Sequence, residues 1–205
     1  MKNIFTDIYI HNGWGKGSGE GSLPENTEAY RGFLEQFIRD HQIKSVVDYG
    51  CGDWQFSKLV DWGGVQYLGL DVVDSLIEHH TEVYSSDHIK FQSVDGIPDQ
   101  LPDADLILLK DVLQHWPNEA ILSFMAKIAC YKFALITNCV NPEGQADNRD
   151  IHEGDFRYLD LTKPPFTYEL SKVLEYTNRE AVSDADKMRW KKVVLLKEGS
   201  IKCGT

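Results

Sequence analysis

The stretch SVVDYGCGDWQFS, residues 45–57, runs an apolar strand into a turn with two glycines bracketed by aspartates. A glycine turn after a strand is a ready phosphate cradle. Asp48 and Asp53 oppose that use, and the stretch holds no Lys or Arg. Like charges at such range cost roughly a few kcal/mol at an effective dielectric near 20. A dinucleotide turn also asks for G-x-G-x-x-G. Gly50 and Gly52 fill its first two places, but Gln55 stands at the third. These departures oppose a nicotinamide oxidoreductase. A cofactor with an ammonium and a sulfonium reverses the sign, and S-adenosylmethionine has both. The glycines then let the backbone approach its methionine part. The bland alternative is a plain strand-to-helix turn with Asp53 as N-cap.

Two more aspartates follow in order. Asp71 closes the next apolar run, about 20 residues on, where an acid accepts hydrogen bonds from ribose hydroxyls. Asp95, in FQSVDGIP, is placed to meet an adenine amino group. Beyond the fourth apolar run stand Lys110, Asp111, His115 and Trp116. Methyl transfer is a direct displacement, so alignment supplies most of its acceleration. A hydroxyl acceptor also gains from a base. His115 is the first candidate base, because histidine titrates near neutrality, with Asp111 as orienter or second base.

The elements that must position these residues alternate. Apolar strands are expected at 45–49, 65–71, 89–94, 105–110 and 133–138, with helices at 54–60, 74–84 and 118–129. Such alternation indicates a doubly wound α/β fold with a mostly parallel sheet covered on both faces. An earlier helix is expected after a capping box of Ser22 and Glu25, with Tyr30, Phe33, Leu34, Phe37 and Ile38 on its buried face. Two final strands, 172–177 and 190–197, can pair antiparallel at one edge. The residues divide into an N-terminal lid loop and helix (1–42), a cofactor core (43–138), a substrate loop (139–168) and a strand pair (169–205), all within one domain.

Read in order, DYGCGD, YLGLD, SVDG and DLILLKDVLQHW resemble the motifs of class I S-adenosylmethionine-dependent methyltransferases over about residues 43–138. The resemblance implies a seven-stranded Rossmann-like sheet with its last strand antiparallel. It implies that Asp48, Gly50, Cys51, Gly52 and Asp53 surround the methionine part. Asp71 and Val72 would take the ribose, Asp95 and Gly96 the adenine, and Lys110 would lie beside the cofactor. The usual third glycine of the first motif falls at Trp54, whose indole can cover the cofactor or simply pack. The flanks, NGWGKGSGEGS and NRDIHEGDFRYLDLTKPPF, are similar to a bacterial subgroup whose members are sometimes attached to glycan-assembly enzymes. An O-methyltransferase acting on a sugar, glycan or other small hydroxylated acceptor is therefore expected. Small-molecule N-methylation and a non-catalytic cofactor-binding module are the alternatives.

The flanks contribute candidates of their own. GWGKGSGEGS is a flexible loop by composition, and Trp14 gives it something to bury as a lid over the cofactor. In the long loop, Arg149 and Arg157 can hold an anionic group, with Asn138, Asp150 and Asp155 as further substrate-binding candidates and His152 as a third catalytic candidate. Asp111, Asp150, His152 and Asp155 could also gather around Mg²⁺, though no tight ligand spacing exists.

The chain has 205 residues and a net charge of -11, from 21 basic and 32 acidic residues. That balance opposes a broad nucleic-acid or anionic-membrane surface. Its four cysteines, Cys51, Cys130, Cys139 and Cys203, form no C-x-x-C pair. Cys130 and Cys139 read as buried free thiols. No apolar run approaches the roughly 20 residues that span a bilayer, and a reducing cytoplasm is the expected compartment.

Overall fold

A computed structural model describes residues 1–145, 147–177 and 190–199. Seven strands form one sheet: β1 (Ser45–Tyr49), β2 (Gln66–Asp71), β3 (Ile89–Ser93), β4 (Leu106–Lys110), β5 (Phe133–Val140), β6 (Ser171–Thr177) and β7 (Lys191–Glu198). Their order is β3-β2-β1-β4-β5-β7-β6. The first five run parallel, and β7 is antiparallel to both β5 and β6. The final pair is thus a hairpin whose return strand inserts beside β5.

Successive strand residues face opposite ways, so the apolar runs feed two cores. Val47, Ile107, Leu109 and Ile136 join one core, completed by Ile121 and Phe124 of α4 (Asn118–Lys127). Val46, Leu106, Leu108 and Leu135 join the other. There Tyr30, Leu34, Phe37 and Ile38 of α2 (Glu28–Asp40) cover the sheet, with Ile77 of α3 (Asp74–Tyr84). Near-continuous apolarity in β4 and β5 follows from this double coverage.

Several local expectations are corrected. Residues 54–60 form only a short 3₁₀ turn, Ser57–Leu59. Trp54 takes φ +58, the left-handed region, which an α-helix cannot use. Ser22 and Glu25 make no capping box. Two 3₁₀ turns intervene, and α2 starts after Thr27, whose hydroxyl donates back to the Leu23 and Pro24 carbonyls. Asp74 lies inside the first turn of α3, with Val73 in the capping place. An unforeseen helix, α1 (Lys2–Ile10), buries Phe5, and the ring of Tyr9, one turn on, meets Trp14. Cys139 is buried and Cys130 only partly so, and Cys203 lies outside the described residues.

The long segment after β5 is irregular, as expected, yet tightly fastened. The Asn148 amide donates to the Asp160, Lys163 and Pro164 carbonyls, and Leu159, Leu161 and Phe166 are buried. Among the described residues no helix is long and apolar enough to cross a membrane.

Candidate active site

Strand order reverses between β1 and β4, and in open α/β sheets ligands bind at that switch point. A cavity of about 370 Å³ opens there, at the carboxyl ends of β1, β2 and β4. Trp14, Asp48, Gly50, Cys51, Gly52, Asp71, Val72, Lys110, Asp111 and His115 all line it.

One side is acidic. Gly50 and Gly52 take φ of +76 and +57. A Cβ on Gly50 would lie 2.5 Å from Val112, and one on Gly52 2.3 Å from the Ser18 hydroxyl. The tight turn therefore needs glycine twice. Asp71 is buried and accepts the Gly52 and Val73 amides at 2.9 and 3.0 Å. Each of its oxygens keeps a further lone pair for a ligand. Burial pushes the Asp71 carboxyl up, against the pull of those amides. Asp48 is raised to about 6 by burial, although the Tyr67 hydroxyl and Lys110 oppose it.

Asp53 faces the glycine-rich segment instead of the cavity. Its carboxylate accepts the Ser18 amide, and the Ser18 hydroxyl accepts the Asp53 amide, both at 2.9 Å. A Cβ on Gly17 would collide with Asp53, so the segment closes on the turn only because that position is glycine. Gln55 donates to the Lys16 carbonyl at 3.0 Å. Composition predicts a flexible loop, but these bonds make it a fixed wall. Trp14, packed on Phe5, Tyr9 and His115, closes the cavity above.

The other side is cationic and basic. Asp111 sits at φ +62, a strained position for a residue with a side chain. The ammonium of Lys110 lies 2.6 Å from its Oδ2, and Lys192 of β7 meets the same oxygen. Burial raises the Asp111 carboxyl, but the two lysines outweigh it and hold it at about 2. Its Oδ1 is buried without a partner among the described residues. His115 Nδ1 is 2.9 Å from the Asp155 carbonyl. A carbonyl can only accept, so the proton sits on Nδ1 and Nε2 presents a lone pair. The Gln114 amide nitrogen approaches that lone pair at a long 3.4 Å while its oxygen accepts the Cys139 amide. Burial pushes the imidazole down to about 4, so it is neutral at pH 7.

Solved structures share this fold. Magnesium protoporphyrin IX methyltransferase from Synechocystis PCC 6803, with bound SAH, aligns over 98% of this chain and 100% of its own at 14% identity and a TM-score of 0.63. A SAM-dependent methyltransferase from Anabaena variabilis aligns over 97% and 94% at 14% identity and a TM-score of 0.63. The N-methyltransferase NodS from Bradyrhizobium japonicum, in complex with SAH, aligns over 87% and 89% at 15% identity and a TM-score of 0.56. The chain has the class I methyltransferase fold. No family model matches the sequence, and no curated protein matches it.

Within the methyltransferase fold, several expected site residues stand elsewhere. Trp54 is 3% exposed in the core, and its indole N–H donates to Tyr67 at 2.9 Å. It packs and does not cover the cavity. Asp95 points outward and pairs with Lys2 at 2.9 Å, while the Gly96 carbonyl accepts the Tyr49 hydroxyl. Neither lines the cavity as the chain stands.

Arg157 is buried and donates to the Trp116 carbonyl and Asn118, fastening the loop beneath α4. Asp150 accepts the Asn118 amide at the start of α4. Arg149 pairs with Asp147, and His152 lines a shallow outer hollow with Asp155. These residues do not converge with Asp111. Among the described residues no group of three or more His, Cys, Asp or Glu could hold a metal.

Sequence reasoning missed Tyr9, Ser18, Gln114, Tyr158 and Lys192, all of which line the cavity. Gln114 was legible, one residue before His115. Lys192, in an exposed-looking WKKVV run, carried no signal, because only sheet order brings β7 beside β5.

Proposed function

We propose that this protein transfers the methyl group of S-adenosylmethionine to a hydroxyl of a small acceptor. One observation carries this reading: a single cavity joins an acidic glycine turn to a neutral imidazole whose lone pair is presented inward. The residues fit the cofactor by chemistry. Gly50 and Gly52 give close backbone approach, Asp48 supplies charge opposite a cation, and Asp71 supplies lone pairs for ribose. Lys110 offers a cation to the carboxylate of the methionine end. The neighbours crystallised with SAM or SAH support the same choice.

When bound, the cofactor supplies an electrophilic methyl group. The chain's own residues then align the acceptor and manage its proton. With the cofactor as methyl donor, His115 Nε2 would accept the proton released by the acceptor hydroxyl and would carry the resulting positive charge. Asp111, paired with Lys110 and Lys192, acts as a fixed negative charge. Trp14, Phe156 and Trp116 exclude water from this end.

A sugar or glycan intermediate is the first acceptor class to try, on the similarity of the flanking segments. The net charge of -11 sets nucleic acid last. Calorimetry decides the cofactor. We expect S-adenosylhomocysteine to bind and NAD(H) not to; tight NAD(H) binding with none for S-adenosylhomocysteine would overturn the reading.

A further inference from the structure

Asn138 breaks the pattern of its strand. Ala134 and Ile136, four and two residues earlier on β5, belong to the α4-side core, and the residue paired with Asn138 across the sheet is Val193, also core. An apolar side chain is expected at 138. Instead the residue is an asparagine, 2% exposed, and neither its amide oxygen nor its amide nitrogen has a partner among the described residues. A buried amide with both ends unpaired calls for an explanation.

The explanation lies beside it. Asn138 lines a second cavity of about 230 Å³, bounded by the fastened loop and strands β5 to β7. Tyr158 lines both this cavity and the main one, so the two adjoin at that ring. Whole small-molecule sites run to roughly 300–1,000 Å³, so this space suits one part of a ligand.

Its charged neighbours are already matched. Glu175 pairs with Lys172 and Lys191 at 3.0 Å each, and the Asp160 carboxylate accepts the Thr162 amide and hydroxyl. Among the described lining residues, the buried polar atoms left unmatched are those of the Asn138 amide, one donor group and one acceptor. A hydroxyl group answers both, whereas an anion or a cation answers only one. Val193, Leu195 and the Tyr158 ring supply apolar floor for the carbon side of such a group.

We propose that the second cavity binds a neutral, hydroxyl-bearing ring of the methyl acceptor, held at Asn138, while the reacting hydroxyl passes Tyr158 to His115. This rests on the methyl-transfer reading of the main cavity.

The test uses saturation-transfer NMR on the full chain with S-adenosylhomocysteine present and methyl β-D-glucopyranoside and myo-inositol as probes. Wild type should show transfer to at least one probe. Asn138→Leu, which fills the cavity with an apolar side chain of similar size, should weaken it at least fivefold. The same variant should melt no lower than wild type and bind S-adenosylhomocysteine unchanged in calorimetry, which rules out misfolding as the cause. If Asn138→Leu melts lower, Asn138→Asp provides the comparison, with the same loss expected. Equal transfer in wild type and variant, or no transfer to either probe while S-adenosylhomocysteine binds, overturns the second site alone and leaves ordered water as the amide's partner. Failure of wild type to bind S-adenosylhomocysteine overturns the methyl-transfer reading, and this one with it.

Discussion

The cavity has two halves built in different ways. The half at β1 and β2 draws its groups from short contiguous stretches: Asp48, Gly50 and Gly52 from one turn, Asp71 from the next strand end. The half at β4, β5 and β7 draws Asp111, His115, Tyr158 and Lys192 from segments up to 81 residues apart, judging from their numbers alone. The first half is rigid by backbone geometry, since glycines at positive φ leave few alternatives. The second half is held by side chains, with two lysines on one carboxylate and an imidazole tied to a loop carbonyl. A cofactor common to many enzymes needs one constant cradle. An acceptor particular to one enzyme is met by segments free to vary.

This contrast can be broken or sharpened by measurement. Trp54→Ala removes a buried indole, so stability should fall by about 3–5 kcal/mol. Cofactor affinity at temperatures where the variant is folded should be unchanged. A large affinity loss there would move Trp54 into the cradle. His115→Ala should lower kcat by roughly 10²–10⁴-fold, with S-adenosylhomocysteine affinity within about twofold of wild type. An unaltered kcat would remove the base from the acceptor half. Asp71→Ala should show the reverse pattern, weakening S-adenosylhomocysteine on the order of 100-fold as the ribose acceptor and the brace on Gly52 are lost together.

Acid should affect the first half sooner than the second. With Asp48 at about 6, the carboxylate that faces a cationic cofactor is neutralised below that pH. S-adenosylmethionine affinity should drop by roughly tenfold between pH 7.5 and 5, and Asp48→Asn should flatten the profile. The same raised value acts oppositely on folding. The apo-protein gains stability from this group below the ordinary value of 3.8 and loses it as pH rises through about 6. Neutral His115 should persist down to about pH 4, so its own limb lies lower. The smallest change should come from Ser18→Ala. It removes the Ser18 hydroxyl's bond to the Asp53 amide and should weaken cofactor binding by a few-fold. No change at all would mean that the glycine-rich wall does not depend on this bond.

Legibility followed the range of the physics. The strand–turn–strand of residues 45–71 could be read because strand pattern, glycine spacing and carboxylates lie within one short window. The 54–60 stretch misled for a tertiary reason: its apolar residues look like a helical face, yet the Trp54 indole is drawn into the core against Tyr67, Tyr84 and Phe91. Arg157 misled similarly. An arginine in a polar loop suggests an anion site, but here it supplies buried donors to a carbonyl and an amide. Flexibility was overestimated at GWGKGSGEGS, because composition reports what an unconstrained chain would do and not what Asp53 does to it.

The sequence by itself determined the alternating α/β order, the double apolar coverage of the sheet and the negative sign of the glycine turn. Those depend on local periodicity and on charges fixed by residue type. Only the tertiary structure decided that Lys192 meets Asp111, that Asn138 ends an apolar row unpaired, and that His115 is neutral. Each of these depends on desolvation and on contacts across the sheet, which arise when distant segments close over one another.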